Sequence, residues 1–315
     1  MTNKELYAEW VKGQEQLPIF MQPWWMDAVC AGKEWDVIIY PAGAQSAKEV
    51  KSAMPYLIRK RLGLRYILMP QMTQIGGIYG DIVSAPAAEM AKEIDALKLH
   101  YYYQHYPIGS LYPAEMAAHG FKVKKRVTYR LNDLSDLDKV IDNFSRNKKR
   151  QLQKALSLHG ERGKIGPEEF YAFHTNCLLE HRKTISYSRE FLLVLERKTR
   201  RLGQSEIVSI HNADGELYAA AYVVWNKEVM HYLIAAQDDR HKDSGAMALL
   251  VLECIKLARE KGVIFDFEGS MIRGVASHFK QFGATPSEYY SVEKYYKWWM
   301  RPVMWIHHLM TWSKR

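Results

Sequence analysis

The sequence predicts an α/β protein (α+β by some schemes) built as two tandem copies of one unit, and three observations predict it. The chain has 315 residues, a length whose prior is about two domains, each large enough to bury a core of its own. Hydrophobic residues make up 48% and charged residues 25%, a globular balance without low-complexity or disordered stretches. One order of elements occurs twice, from about residue 20 and again from about residue 165: a helix, three meandering strands, a loop into a buried helix, then a strand.

In the first copy, residues 22–30 read as a helix opened by Pro23 and stopped near Gly32. Residues 35–40 are strand-like, 41–48 form a turn, and 53–58 return as the second arm of a hairpin. A third strand over 65–69 leads to Gly76-Gly77-Ile78-Tyr79-Gly80. That stretch lacks the lysine and hydroxyl of a P-loop and the spacing of a dinucleotide loop, so it reads as a turn. A helix is predicted over 86–104, ending in Tyr101, Tyr102 and Tyr103 with Tyr106 nearby. These rings read as packing rather than as a base-stacking platform. A short helix to Gly120 and a strand over 121–130 complete the copy.

Ahead of the second set of elements, a helix over 145–155 closes at Gly160 and carries five basic residues between 146 and 154. Leu152, Ala155 and Leu156 anchor one side, so Lys148, Lys149 and Arg150 are expected together on the other, facing an anion or simply solvated. A helical region over 167–202 is broken near 186–188 and ends in Arg197-Lys198-Thr199-Arg200-Arg201 before Gly203, basic residues where helix ends prefer them. Strands over 206–210 and 217–225 flank Asp214-Gly215, a hairpin signal. A strand over 229–236 follows, then a polar loop, then a helix with Met247, Leu250, Val251, Cys254, Leu257 and Ala258 on one stripe and Gly262 as its stop.

Chemistry concentrates just beyond that helix. Residues 263–268 read as a strand, whose alternation puts Val263, Phe265 and Phe267 on one face and Ile264, Asp266 and Glu268 on the other. Two carboxylates so spaced stand about 7 Å apart. They are either the floor of a cleft or ordinary surface acids.

Composition narrows the setting. Cys30, Cys177 and Cys254 are widely spaced with no CxxC pair, so neither a disulfide framework nor a zinc site is expected, and a reducing cytoplasm is the natural compartment. No apolar leader and no uncharged run of about 18 residues is present. The net charge of +9 favours polyanionic partners such as nucleotides, coenzyme A, tRNA or an anionic membrane face, unless the protein is merely basic.

Four pieces stand in order between residues 145 and 284: the basic helix at 145–155, Asp243-Ser244-Gly245-Ala246, the stretch 265–272, and Phe279-Lys280-Gln281-Phe282-Gly283-Ala284. On them the second copy resembles a GNAT acyltransferase. The whole chain resembles the Fem (FemAB-like) peptidyltransferases, which are tandem GNAT-like acyltransferases, in their acetyltransferase branch. The resemblance implies two GNAT-like domains, each a mixed, mostly antiparallel sheet flanked by helices. The first would cover 1–140, completed by 291–315, and the second, 141–290, would carry the donor site.

The same resemblance implies transfer of an acyl or aminoacyl group from acyl-CoA or aminoacyl-tRNA, used as co-substrate with no bound cofactor or metal. The acceptor would be an amine on a small molecule or a cell-envelope precursor. Backbone N–H groups near the end of the 230–236 strand would polarise the carbonyl. The GNAT loop pattern of Gln or Arg, two residues, Gly, one residue, Gly or Ala here reads Arg240-His241-Lys242-Asp243-Ser244-Gly245. Asp243 stands where the first glycine should be, and a carboxylate there repels a pyrophosphate. Fem enzymes use aminoacyl-tRNA and place a lysine of the Phe-Lys segment near its phosphate. The match makes Lys280 a donor-binding residue, together with Arg240, Ser244 and Gly245, with Lys148, Lys149 and Arg150 adding phosphate contacts. Asp266 or Glu268 would hold the amine or take its proton.

The tryptophan-rich C-terminus, with Arg301, His308, Thr311 and Arg315 on one side and Trp312 among its aromatics, either lies on the inner face of a membrane or packs back onto the first domain. The competing reading of the whole chain is a non-catalytic RNA-binding or membrane-surface module that keeps a GNAT-like shell.

Overall fold

A computed structural model describes residues 1–30, 32–269 and 271–305. Among the described residues the chain divides into two compact units, one of Met1–Arg126 with the chain from Glu288 to Trp305, the other of Val127–Ser287.

The first unit opens with α1 (Asn3–Val11), started by a capping box between Thr2 and Glu5, and α2 (Pro23–Val29), whose proline needs no N–H at the first turn. β1 (Asp36–Tyr40) and β2 (Ser52–Tyr56) pair antiparallel, and β5 (Tyr79–Gly80) joins β2 in a three-stranded sheet. Between them, β3 (Ile58–Arg61) and β4 (Leu64–Ile67) form a hairpin. α3 (Ala87–Ala96) lays Ala87, Met90, Ala91 and Ile94 on the core, and β6 (Tyr101–Tyr106) then runs parallel to β4. α4 (Tyr112–Ala118) and β7 (Lys122–Leu131) follow.

The helix expected over 86–104 therefore stops at Ala96. Leu97 caps it, Lys98 turns left-handed at φ +52°, and the tyrosines form a strand. Aromatic residues suit a pleated, buried surface better than a helix. Tyr101, Tyr102 and Tyr106 are fully buried, with the Tyr102 and Tyr106 hydroxyls 3.1 Å apart.

The second unit takes up the end of β7 and adds α5 (Leu137–Asp142), α6 (Arg146–Ser157), β8 (Glu161–Lys164), α7 (Pro167–Glu180), α8 (Arg189–Arg201), β9 (Ser205–His211), β10 (Leu217–Trp225) and β11 (Val229–Gln237). A 3-10 turn over Asp239–Ser244 leads into α9 (Ala246–Lys261), then β12 (Ile264–Asp266), α10 (Arg273–Lys280) and β13 (Thr285–Tyr295), which runs back into the first unit. Here the strand order is β7-β12-β11-β10-β9-β8. Pairing is antiparallel except for the parallel β11–β12 pair.

α9 organises this unit's core. Ten of its residues are buried, among them Leu249, Leu250, Val251, Cys254 and Ile255. Each large apolar side chain so buried contributes about 1.5–3 kcal/mol before conformational entropy is counted. Glycines at φ +81° (Gly245) and φ +67° (Gly262) bound the helix. At Gly245 the backbones of α6 and the α9 loop meet so closely that a Cβ would lie 2.0 Å from the Gln151 carbonyl oxygen.

In the first unit, β13 runs antiparallel to β6, and beyond it Met300 and Met304 pack with Leu68 and Tyr101. His308, Thr311, Trp312 and Arg315 lie outside the described residues.

Gly245→Ala should lower the denaturation midpoint. Left-handed strain alone amounts to roughly 1–3 kcal/mol, and displacement of the α6 backbone adds to it. An unchanged midpoint would show that the α6–α9 approach is not tight.

Candidate functional site

β11 and β12 pair at three positions, Val229 with Ile264, Met230 with Phe265, and His231 with Asp266. Past that point they part. β11 continues to Gln237 against β10, while the chain leaving β12 is drawn to β7, where the Phe267 N–H donates to the Tyr129 carbonyl (2.9 Å) and the Gly269 N–H to Thr128 Oγ1 (2.8 Å). Gly269 permits this approach, since a Cβ there would lie 2.1 Å from the Val127 carbonyl oxygen.

Asp266 anchors the divergence. Its carboxylate is fully buried; Oδ1 accepts from Thr128 Oγ1 (2.5 Å) and the Glu268 N–H (2.8 Å), and Oδ2 accepts from Arg130 Nε (2.7 Å). Phe267 packs beside Phe265, Phe279 and Phe282 and fixes the turn from the apolar side.

β11 is also bulged. Ile234 pairs with Tyr222 and Tyr232 with Val223, which leaves Leu233 unmatched. A bulge bends its strand and re-aims the neighbouring groups. Among the described residues, no strand pairs with β11 past His231 on the edge away from β10.

Glu268 stands where the strands part. The strand read over 263–268 ends instead at Asp266, and Glu268 adopts a left-handed φ of +58°. The alternation expected for the two acids is thereby broken, and they face different partners. Glu268 Oε1, which has no contact with solvent, lies 3.2 Å from Nδ1 of the buried His231. Burial pushes the Glu268 carboxyl above its ordinary range, His231 opposes the shift, and the Asp266 charge adds to it. A partly buried carboxyl with one shielded oxygen and a raised pKa, set beside an imidazole, is suited to accept a proton once it is ionised.

A cleft of about 400 Å³ adjoins the end of β7, lined by Val127, Tyr129 and Met271 and by the α10 face of Arg273, Ala276, Ser277 and Lys280. Lys280 Nζ lies 5.8 Å from the Tyr129 ring centre. Two cations on one helix face, seven residues apart, give the cleft a positive wall.

The basic helix is arranged differently from its sequence reading. Lys148 turns inward and is only 4% exposed; its ammonium donates to Gln151 Oε1 (3.0 Å), faces His278 Nδ1 at 3.4 Å and lies 4.9 Å from the Phe282 ring centre. Burial lowers its pKa, and burial together with the Lys148 charge pushes His278 down to about 4. Lys149 pairs with Asp142, and the exposed Arg150 bonds the Asn147 side chain. The three do not share one face, because Leu152 and Ala155 draw the Lys148 side of α6 into the core.

The loop before α9 is already neutralised. The Arg240 guanidinium clamps both oxygens of Asp238 (3.1 and 2.5 Å) and lies 3.7 Å from Glu216. Ser244 Oγ accepts from the Ala246 N–H, and Gly245 supplies the left-handed turn. Glu216, Asp238 and His241 are spaced as a metal site would be, but the Arg240 clamp already supplies the positive charge there.

Of the residues the sequence singled out, Asp266 and Glu268 stand where the strands part and Lys280 lines the cleft; Thr128, Arg130, His231 and Arg273, which join them, were not singled out. Thr128 and Arg130 lie more than a hundred residues from Asp266 in sequence. Arg273 was within reach, since its spacing of seven from Lys280 is two helical turns.

Acyl transfer to an amine requires polar groups for the carbonyl oxygen and a base for the amine's proton; where β11 and β12 part, the β11 edge that no described strand pairs and the Glu268 carboxyl are the candidates for the two. Comparison with known proteins bears out that class. The family model described as "Acetyltransferase (GNAT) domain" matches residues 119–281, and the chain belongs to this family. Its fold is Fem-like: it superposes on FemX with a TM-score of 0.69 at 15% identity, covering 92% of this chain and 96% of that one. L-PGS from Bacillus licheniformis gives 0.58 at 13% identity, covering 84% and 87%. A tandem GNAT protein from the clavulanic acid biosynthesis pathway gives 0.56 at 11% identity, covering 93% and 94%. At such identities the likeness is one of fold. No curated protein sequence matches the chain.

Arg130→Met would leave the Asp266 carboxylate buried without its counter-ion. It should cost roughly 3–5 kcal/mol of stability, read as a lower denaturant midpoint. A loss below about 1 kcal/mol would mean that the turn is held without Arg130, by Thr128, the backbone and the phenylalanines.

Proposed function

We propose that the protein moves an aminoacyl group from a charged tRNA to the amine of a second substrate. Glu268 takes the amine's proton, and the observation that carries the reading is its partly buried carboxyl beside His231 where β11 and β12 part.

In this mechanism the neutral amine attacks the carbonyl carbon of the ester. The new C–N bond forms, the amine's proton passes to Glu268, the C–O bond to the ribose breaks, and the proton leaves on the ribose hydroxyl. Backbone N–H groups on the unpaired edge of β11 hold the developing oxyanion. His231 is a positioning residue that orients the carboxylate. Asp266, bound by Thr128, Arg130 and the Glu268 N–H, is left the task of fixing the turn.

Lys280 and Arg273 bind donor phosphate at the positive cleft. The loop before α9 favours tRNA over coenzyme A, because Arg240 is occupied by Asp238 and the carboxylates of Glu216, Asp239 and Asp243 stand on or beside the loop, where a pyrophosphate would have to approach. The acceptor is a small-molecule amine or a cell-envelope precursor, and the reaction suits a cytoplasmic setting. No described helix is long and apolar enough to cross a membrane.

The test is transfer of labelled amino acid from charged tRNA, and of acetyl from acetyl-CoA, to a panel of amines. Glu268→Gln should reduce kcat by roughly 10²–10⁴. Wild-type kcat/KM should fall as pH drops through the raised Glu268 pKa, because the base becomes protonated, and the variant should lack that limb. Stability should move the opposite way. A folded pKa above the unfolded value means that this group's stabilisation is lost as pH rises through the folded pKa, so Glu268→Gln should be as stable as wild type or more so at pH 8. Wild-type turnover in the variant would remove Glu268 from the mechanism. Salt-sensitive tRNA binding with no turnover on any amine would favour an RNA-binding module instead.

A further inference from the structure

The first unit presents a surface that the proposed reaction does not use. Leu62, at the tip of the β3–β4 hairpin, is 91% exposed, Trp298 is 80% exposed and Trp305 65%. Single exposed apolar side chains need no explanation, but several gathered in one patch rimmed by polar groups mark an interaction surface.

The two segments that carry them are packed together. Leu64 and Tyr66 of β4 flank the small core that Met300 and Met304 form with Leu68 and Tyr101. Trp299 lies 5.8 Å from the ring of His100, whose Nδ1 accepts from the Arg65 N–H, and Arg65 is the cross-strand neighbour of Lys60.

Charge completes the pattern. Residues 57–69 and 294–305 contain no aspartate or glutamate, and Lys60, Arg61, Lys297 and Arg301 are all exposed. Indole rings next to cations, on two segments that carry no acid of their own, match the chemistry of a bilayer interface. The rings settle at headgroup depth and the cations meet anionic headgroups.

We propose that this face docks the protein on an anionic lipid surface. The proposal does not rest on the transfer reaction, because its residues are separate from Glu268 and Lys280.

Co-sedimentation of the whole chain with vesicles tests it, using phosphatidylcholine alone and phosphatidylcholine mixed with phosphatidylglycerol, at low and high salt. Binding should need phosphatidylglycerol and weaken with salt. Each exposed cation near the surface is worth about fivefold in partition. Lys60→Gln with Arg61→Gln should therefore weaken binding about 25-fold, and Trp298→Ser with Trp305→Ser should abolish the part that survives high salt. All four side chains are exposed, so thermal midpoints should stay at the wild-type value. A wild-type chain that remains in the supernatant, or variants that bind as well as wild type, would overturn the proposal. So would a concentration-dependent dimer that the tryptophan variant abolishes, since the face would then be covered by a second copy.

Discussion

The second unit turns on one divergence. Two parallel strands leave their shared ladder because the carboxylate ending one of them is held by the neighbouring strand. A parallel pair that continued would bring its N–H and C=O groups together and leave nothing for a substrate. Asp266 prevents that by binding Thr128 and Arg130, and the turn after it places Glu268 over the gap with its Oε1 against His231. The acid that shapes the site and the acid that faces it are two residues apart, and their surroundings separate them. One gains three hydrogen bonds, whereas the other is desolvated with an imbalance that favours its protonated form.

Electrostatics then divides the unit into a place for anions and a place without need of them. The α10 face carries Arg273 and Lys280 toward an open cleft. The loop before α9 has its arginine clamped by Asp238, with Glu216 close by. A phosphate entering the first place would meet the Arg273 and Lys280 cations. At the second it must compete with carboxylates already in position. The proposed choice of donor rests on that contrast rather than on the overall charge of +9.

Much of the fold was legible because its signals are local. The stripe of α9, its stop at Gly262, the Asp214-Gly215 hairpin and the repeated order of elements all depend on neighbours in sequence. Reading failed where tertiary packing overrode local pattern. The tyrosines at 101–106 followed a helical stretch but belong to a buried strand, and Lys148 sat in a charge run but turned into the core. The site was half legible for the same reason. Asp266, Glu268 and Lys280 fall in one short stretch. Thr128, Arg130 and His231 reach it from other strands, and neither composition nor spacing marks them.

The most direct measurement of the central claim uses isotope-labelled protein and a short RNA acceptor end bearing an amino acid in stable amide linkage. The account predicts that the largest amide shift changes fall on β11 between Tyr232 and Ala236, together with a change at the Glu268 carboxyl. Changes confined to the Arg240–Gly245 loop, with β11 unmoved, would contradict it.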